Sequence, residues 1–174
     1  MDIWKELQDE GIDAALLEEI RHFREAHPVP PEAQPRIPAP QCLYYGKEVW
    51  ESAAAALLCG QHLLLAGPKA TGKNVLAENL AAVFGRPVWD VSMYVNVDAA
   101  ALIGADTLQK GEVVFREGPI CRCARLGGFG VLDEVNMAKN EALAVLHATL
   151  DHRRVIDVPG YERITLDDAA RFIG

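Results

Sequence analysis

The chain of 174 residues lacks any excess of positive charge: 17 Lys and Arg stand against 25 Asp and Glu, a net charge of −8. That balance argues against a broad electrostatic footprint for nucleic acid or anionic lipid, although a local basic groove stays open. No apolar run is long enough to span a bilayer. The longest, Ala53 to Ala66, is interrupted by Gly60-Gln61-His62. The start, Met1-Asp2-Ile3-Trp4-Lys5-Glu6, is acidic and has no apolar h-region of a secretory signal, so no membrane partner and a cytoplasmic location are expected. Paired Cys-x-x-Cys spacing is also missing. Of Cys42, Cys59, Cys121 and Cys123, only Cys121-x-Cys123 gives a weak metal signal, and reduced, partly buried thiols are the expectation. No internal repeat is present.

Half of the residues are hydrophobic, which suits one soluble domain with a real core and a small appendage. In residues 1–27, Ile3, Trp4, Leu7, Ile12, Leu16, Ile20 and Phe23 recur at helical spacing, broken around Gly11, with Asp13 placed to cap a second helix. They read as docking on the core or recruiting a partner. Pro28 to Pro40 is proline-rich and reads as a semi-rigid linker, with binding to an aromatic-lined groove as the alternative. These features divide the chain into a helical extension with its linker, 1–40, and a main domain, 41–174.

From Gln41 the pattern alternates helix and strand, which predicts an α/β fold with a parallel sheet. A helix from about Glu48 to Cys59 precedes strand Leu63–Ala66, and a helix over Val75 to Phe84 precedes strand Pro87–Ser92. A hairpin is predicted over Thr107 to Gly118 and a short helix over Ile120 to Leu126. Strand Gly130–Asp133, a helix over Asn140–Asp151 and a second hairpin from Val155 to Thr165 follow, and a last strand begins at Arg171.

Between the first strand and its helix lies Gly67-Pro68-Lys69-Ala70-Thr71-Gly72-Lys73-Asn74, leading into Val75. It matches the phosphate-binding loop G-x-x-x-x-G-K-[ST] in all but its last position. Glycines let backbone N–H groups form an anion nest, the helix N-terminus adds its positive dipole end, and Lys73 is placed to reach the β- and γ-phosphates. Downstream, Phe129-Gly130-Val131-Leu132-Asp133-Glu134 is an apolar strand ending in two carboxylates, as in a Walker B element. There Asp133 would hold Mg²⁺ directly or through its water shell, and Glu134 would act on the attacking water as general base or orienting group.

With these elements the chain resembles the AAA+ ATPases, most closely the MoxR-type and dynein-related branch with an insert in the second core helix. Further carriers are Leu102-Ile103-Gly104, Glu117-Gly118-Pro119-Ile120, and Gly127-Gly128 leading through Walker B into Asp133-Glu134-Val135-Asn136. Leu150 to Phe172 is similar to the branch's pre-sensor hairpin and sensor strand. The resemblance covers residues 41–174 and implies a three-layer P-loop NTPase sandwich with sheet order 5-1-4-3-2. It implies ATP and Mg²⁺ as cofactors, Lys73 and Glu134 as catalytic residues, and Gly67 through Val75 as the nucleotide cradle. Tyr44 and Tyr45 fall where family members pack against the base, or are ordinary core. Active assemblies of the family are usually hexameric rings that remodel a client, here a protein rather than a nucleic acid. The hairpin tip at Lys110-Gly111 would face client or neighbour, or be a solvated tip.

Asn74 departs from the pattern. Its amide oxygen could approach the metal, or its nitrogen could donate to a phosphate, so weaker or rearranged magnesium binding is expected. Ala70 stands where many members have glycine, which matters only if its φ is positive. The sequence stops before the family's polar sensor residue, arginine finger, fifth strand and lid. The expectation is therefore a front half with negligible turnover alone, and an exposed edge at Leu63–Ala66 that self-associates unless the N-terminal helices cover it. Two alternatives are a GTP-using McrB-type motor of a DNA restriction system and a scaffold that senses ATP without hydrolysing it.

Overall fold

The computed structural model describes residues 2–174. Helix α1 (Ile3–Asp9) is capped by Asp2 and α2 (Ala14–Ala26) by Asp13, whose carboxylate accepts from the N–H groups of Ala15 and Leu16. Leu7, Leu17, Ile20 and Phe23 are buried against α3 (Lys47–Leu58) and α4 (Lys73–Phe84) in one cluster with Trp50, Leu76, Leu80 and Phe84. At roughly 1.5–3 kcal/mol for each large apolar side chain buried, this docking is worth more than any surface contact could supply. The extension is thus packed on the core.

The central sheet is parallel. Strand β1 (Val88–Ser92) precedes α5 (Ala99–Ile103), the hairpin β2 (Gly104–Gln109) and β3 (Glu112–Glu117), and α6 (Pro119–Arg125). Then come β4 (Phe129–Asp133), α7 (Asn140–Ala144), α8 (His147–Leu150), the hairpin β5 (Val155–Val158) and β6 (Glu162–Thr165), and β7 (Arg171–Ile173). β4 lies between β1 and β7, in register from Val88 opposite Phe129 to Ser92 opposite Asp133, and Leu63 bridges Ile173 on the far side. In the family's numbering this is 1-4-3-2, as the resemblance implied. Alternate side chains go to opposite layers: Phe129 and Ile173 join the α3–α4 side, and Leu132 and Phe172 join the α6 side. The result is a three-layer α/β sandwich. Among the described residues no helix is long and apolar enough to cross a membrane.

Three expectations need correction. The strand at Leu63–Ala66 is only a single bridge. Leu63 and Leu65 exchange backbone hydrogen bonds with Phe172 and Gly174, but the chain then turns into the phosphate loop and Leu64 is 74% exposed. The N-terminal helices pack on α3 and α4 and leave that residue uncovered. The helix over Asn140–Asp151 is broken into α7 and α8, because shorter bonds from Leu146 N to Leu143 O and from Thr149 N to Leu146 O replace the regular ladder there. The buried Thr149 hydroxyl donates to Val155 O and ties α8 to β5. The proline-rich segment is not a free linker: it contains a 3₁₀ turn at Gln34–Arg36, buries Ala33, and lies along β1, where Arg36 donates to Val88 O and covers the Trp89 ring.

The two hairpins are joined. Arg125 pairs with Glu117 of β3 and Glu162 of β6, and Tyr161 packs on Phe115 and bonds Asp106. Leu108 and Val113, opposite each other near the Lys110-Gly111 tip, are 73% and 66% exposed. Before β4, close approach requires glycine at Gly128, where a Cβ would lie 2.2 Å from the Trp89 ring. Cys121 and Cys123 are buried, and burial pushes the Cys121 thiol up to about 12 and that of Cys123 higher still.

His62, just before the bridge, accepts a hydrogen bond at Nδ1 from the Phe172 N–H at 3.0 Å. Burial, and then the charges of Arg154 and Arg171, lower its pKa to about 4. The unfolded chain binds a proton at this residue near pH 6.5, so between pH 6.5 and 4 the unfolded state holds more protons than the folded one. The contribution to stability is complete above pH 6.5 and is lost as pH falls toward 4. Urea midpoints at pH 7 and pH 4.5 are expected to differ more for the native chain than for His62→Asn, which keeps an acceptor but cannot titrate; equal differences would refute this.

Candidate functional site

The phosphate loop is built as its sequence demands. Gly72 takes φ 84° at the N-cap of α4, a left-handed conformation in which glycine is unstrained. Ala70 has φ 61°, so the glycine expected there has a real conformational reason, and alanine carries a strain of roughly 1–2 kcal/mol. The Lys73 ammonium donates to Gly67 O at 3.0 Å and Pro68 O at 2.8 Å, and the Thr71 hydroxyl to Pro68 O at 3.0 Å. Across the cleft, Asp133 ends β4 and Glu134 follows with φ 53°. A non-glycine residue held there is strained, which is a common mark of a functional position. Asn74 Nδ2 donates to Asp133 Oδ2 at 3.2 Å and so links the loop's helix to the strand.

These residues share one cavity of about 940 Å³. Gly67, Lys69, Ala70, Thr71, Gly72, Lys73, Asn74 and Val75 line one side, and Asp133 and Glu134 the other. Pro68 contributes its carbonyl to Lys73 and to the Thr71 hydroxyl and does not line the cavity. The hard oxygens of Asp133 and Asn74 beside a cationic nest fit a magnesium-bearing polyphosphate. Among the described residues no arginine lines this cavity. Tyr44 and Tyr45 do not line it either. The Tyr44 ring packs on Gly72, where a Cβ would lie 3.2 Å from Tyr44 Cδ2, and Tyr45 points to solvent with 67% exposure.

Sequence reasoning missed Asn79. Fully buried on α4, it accepts from Tyr44 N at 2.9 Å and donates to Cys42 O at 2.9 Å, fixing the segment that carries Tyr44 over the loop. Its signal was a lone amide on the apolar face formed by Leu76, Leu80 and Val83. A second cavity of about 590 Å³ adjoins the first through Asn74 and Asp133 and is walled by Arg36, Asp90 and Ser92. Burial raises the Asp90 carboxyl, with Arg36 opposing.

Residues 62–174 match the family described as AAA domain (dynein-related subfamily). The uncharacterized protein YojN of Bacillus subtilis (strain 168) is 33% identical over 158 residues, which is 88% of this chain and 52% of that protein. The uncharacterized protein SAUSA300_1302 of Staphylococcus aureus (strain USA300) is 37% identical over 116 residues, 64% of this chain and 44% of its own length. The chain therefore spans about half the length of the curated relatives it matches. In fold, it is similar to a crystal structure of a candidate ATPase from Cytophaga hutchinsonii, with a TM-score of 0.60 at 15% identity over 98% of this chain and 46% of that one.

Proposed function

We propose that this chain, which belongs to the dynein-related subfamily of AAA domains, is the ATP-binding and hydrolysing module of a cytoplasmic MoxR-like remodelling ATPase. The observation that carries this reading is the single cavity onto which Lys73, Asn74, Asp133 and Glu134 all open. Gly67 through Val75 cradle the phosphates with backbone N–H groups, and Lys73 exchanges its two loop carbonyls for phosphate oxygens. Asp133 and Asn74 would hold Mg²⁺, which would supply charge neutralisation at the phosphates. Glu134 orients or deprotonates the attacking water. Tyr44 borders the base side from its seat on Gly72, with Tyr45 outside it. Residues 41–174 form the ATPase unit, and residues 1–40 are its docked extension.

Among the described residues no arginine lines the cavity to stabilise transition-state charge, which supports negligible turnover by this chain alone. The exposed Leu64 segment supports self-association. A ring, hexameric in the whole protein, would present the joined hairpins to a protein client; the acidic surface disfavours direct nucleic-acid contact.

The reading is tested by titrating ATP and GTP and by following turnover as protein concentration rises, with light scattering on the same samples. ATP binding with negligible turnover is expected, and ordinary turnover that falls about 10²- to 10⁴-fold in Glu134→Gln would overturn that expectation. Preference for GTP would favour the McrB-type motor. ATP binding that Mg²⁺ does not strengthen would favour the sensing scaffold, for which Asn74 is the supporting feature. A chain that stays monomeric at high concentration would count against self-association.

A further inference from the structure

The P-loop pattern calls for one hydroxyl at position 74, and the chain has an amide with two chemically different ends. The contact between Asn74 and Asp133 decides which end goes where. A carboxylate only accepts, so the group at 3.2 Å from Asp133 Oδ2 must be the amide nitrogen, Nδ2. The same planar group then carries Oδ1 on its other side, free of any protein donor among the described residues, and Asn74 lines the cavity beside Lys73. One N–H of that nitrogen is therefore committed to the Walker B strand.

We propose that Asn74 divides two tasks between its amide atoms: Nδ2 orients the Asp133 carboxylate, and Oδ1 is a direct or water-mediated ligand of the nucleotide's divalent cation, making the site tolerant of cations larger than Mg²⁺. This rests on the ATP-binding reading of the same cavity. Two physical differences from a hydroxyl set the selectivity. An amide oxygen stands one bond further from the backbone than a serine or threonine oxygen. Amide carbonyls are also ordinary ligands of Ca²⁺, whose shell is large and flexible, whereas Mg²⁺ demands near-ideal octahedral geometry at short distances. Asn74 also acts as a positioning residue for Asp133, because the hydrogen bond joins the two elements that must close on the metal.

The test is calorimetric titration with ATP in EDTA, in Mg²⁺ and in Ca²⁺, for the native chain, Asn74→Ala and Asn74→Thr. The quantity read is the factor by which each cation tightens ATP binding over EDTA. In the native chain both cations are expected to tighten it to a similar degree. Asn74→Ala is expected to lose about tenfold or more of that factor for both cations while keeping its affinity in EDTA. Asn74→Thr is expected to keep the Mg²⁺ factor and lose most of the Ca²⁺ factor. Full retention of both factors in Asn74→Ala would overturn the inference, as would an equal loss of affinity in EDTA, since Asn74 would then serve the loop and not the cation. Unchanged Ca²⁺ tightening in Asn74→Thr would remove the selectivity. A native chain that binds no ATP under any condition would overturn the proposed function itself, and this inference with it.

Discussion

Lys73→Ala is expected to weaken ATP binding about 10- to 100-fold, the equivalent of one lost hydrogen-bonded charge at roughly 1.5–3 kcal/mol. The residue begins α4, so its stem is fixed by the helix and its ammonium is aimed at the loop. In the structure that ammonium is shared by two neutral carbonyls, Gly67 O and Pro68 O. Polyphosphate oxygens are better partners because charge-assisted hydrogen bonds are roughly twice as strong as neutral ones. Removing the lysine also removes two bonds that hold the loop closed, so circular dichroism and a urea midpoint must accompany the titration. An unchanged fold with lost binding supports the assigned role, and unchanged binding refutes it. Higher salt should weaken native binding and leave the variant's residual binding less affected.

The largest expected effect on stability lies outside the site. Arg86 is 2% exposed, and it donates through Nε to Gly127 O at 2.8 Å and through Nη1 to His27 O at 2.5 Å. It thus joins the end of α2 to the Gly-Gly turn that launches the Walker B strand. Burial lowers the Arg86 pKa, while the nearby Asp167 raises it. Arg86→Met keeps most of the volume but strands both carbonyls, at roughly 1–3 kcal/mol each, for a total loss of about 2–6 kcal/mol. Against a typical domain stability of about 5–15 kcal/mol, that is a large fraction. Urea denaturation followed by circular dichroism measures it. A loss below about 1 kcal/mol would mean that water replaces the guanidinium and that this joint is not a structural link.

How much of this was legible in the sequence depends on what each residue had to encode. The phosphate loop, the Walker B strand and the caps were readable because each is set by residue types at fixed local spacing, as with Asp13 capping α2 and Gly72 opening α4. Sheet order followed from the family resemblance, since strand pairing between Leu63 and Ile173 is a contact over a long stretch of chain that no local pattern records. The proline-rich segment was misread because composition reports stiffness and not contacts, and the burial of Ala33 in the same cluster as Trp89 is a tertiary fact. Asn79 escaped for the same reason: both of its partners, Cys42 O and Tyr44 N, lie on the other side of the phosphate loop in sequence. The tie from α8 to β5 depends on the Thr149 hydroxyl finding Val155 O, again a partner outside the helix.

The strap formed by residues 29–38 gives the sheet a direction. On one margin, Arg36 occupies the outward carbonyl of Val88 and lies on Trp89, so a foreign strand arriving there would have to displace a guanidinium and a turn already seated. On the opposite margin, beyond Leu63, nothing comparable is seated among the described residues and Leu64 faces outward. The molecule is therefore sealed on one flank and receptive on the other. The receptive flank is the one that runs directly into Gly67, the first residue of the phosphate loop, so the open edge and the nucleotide cradle share one continuous stretch of backbone.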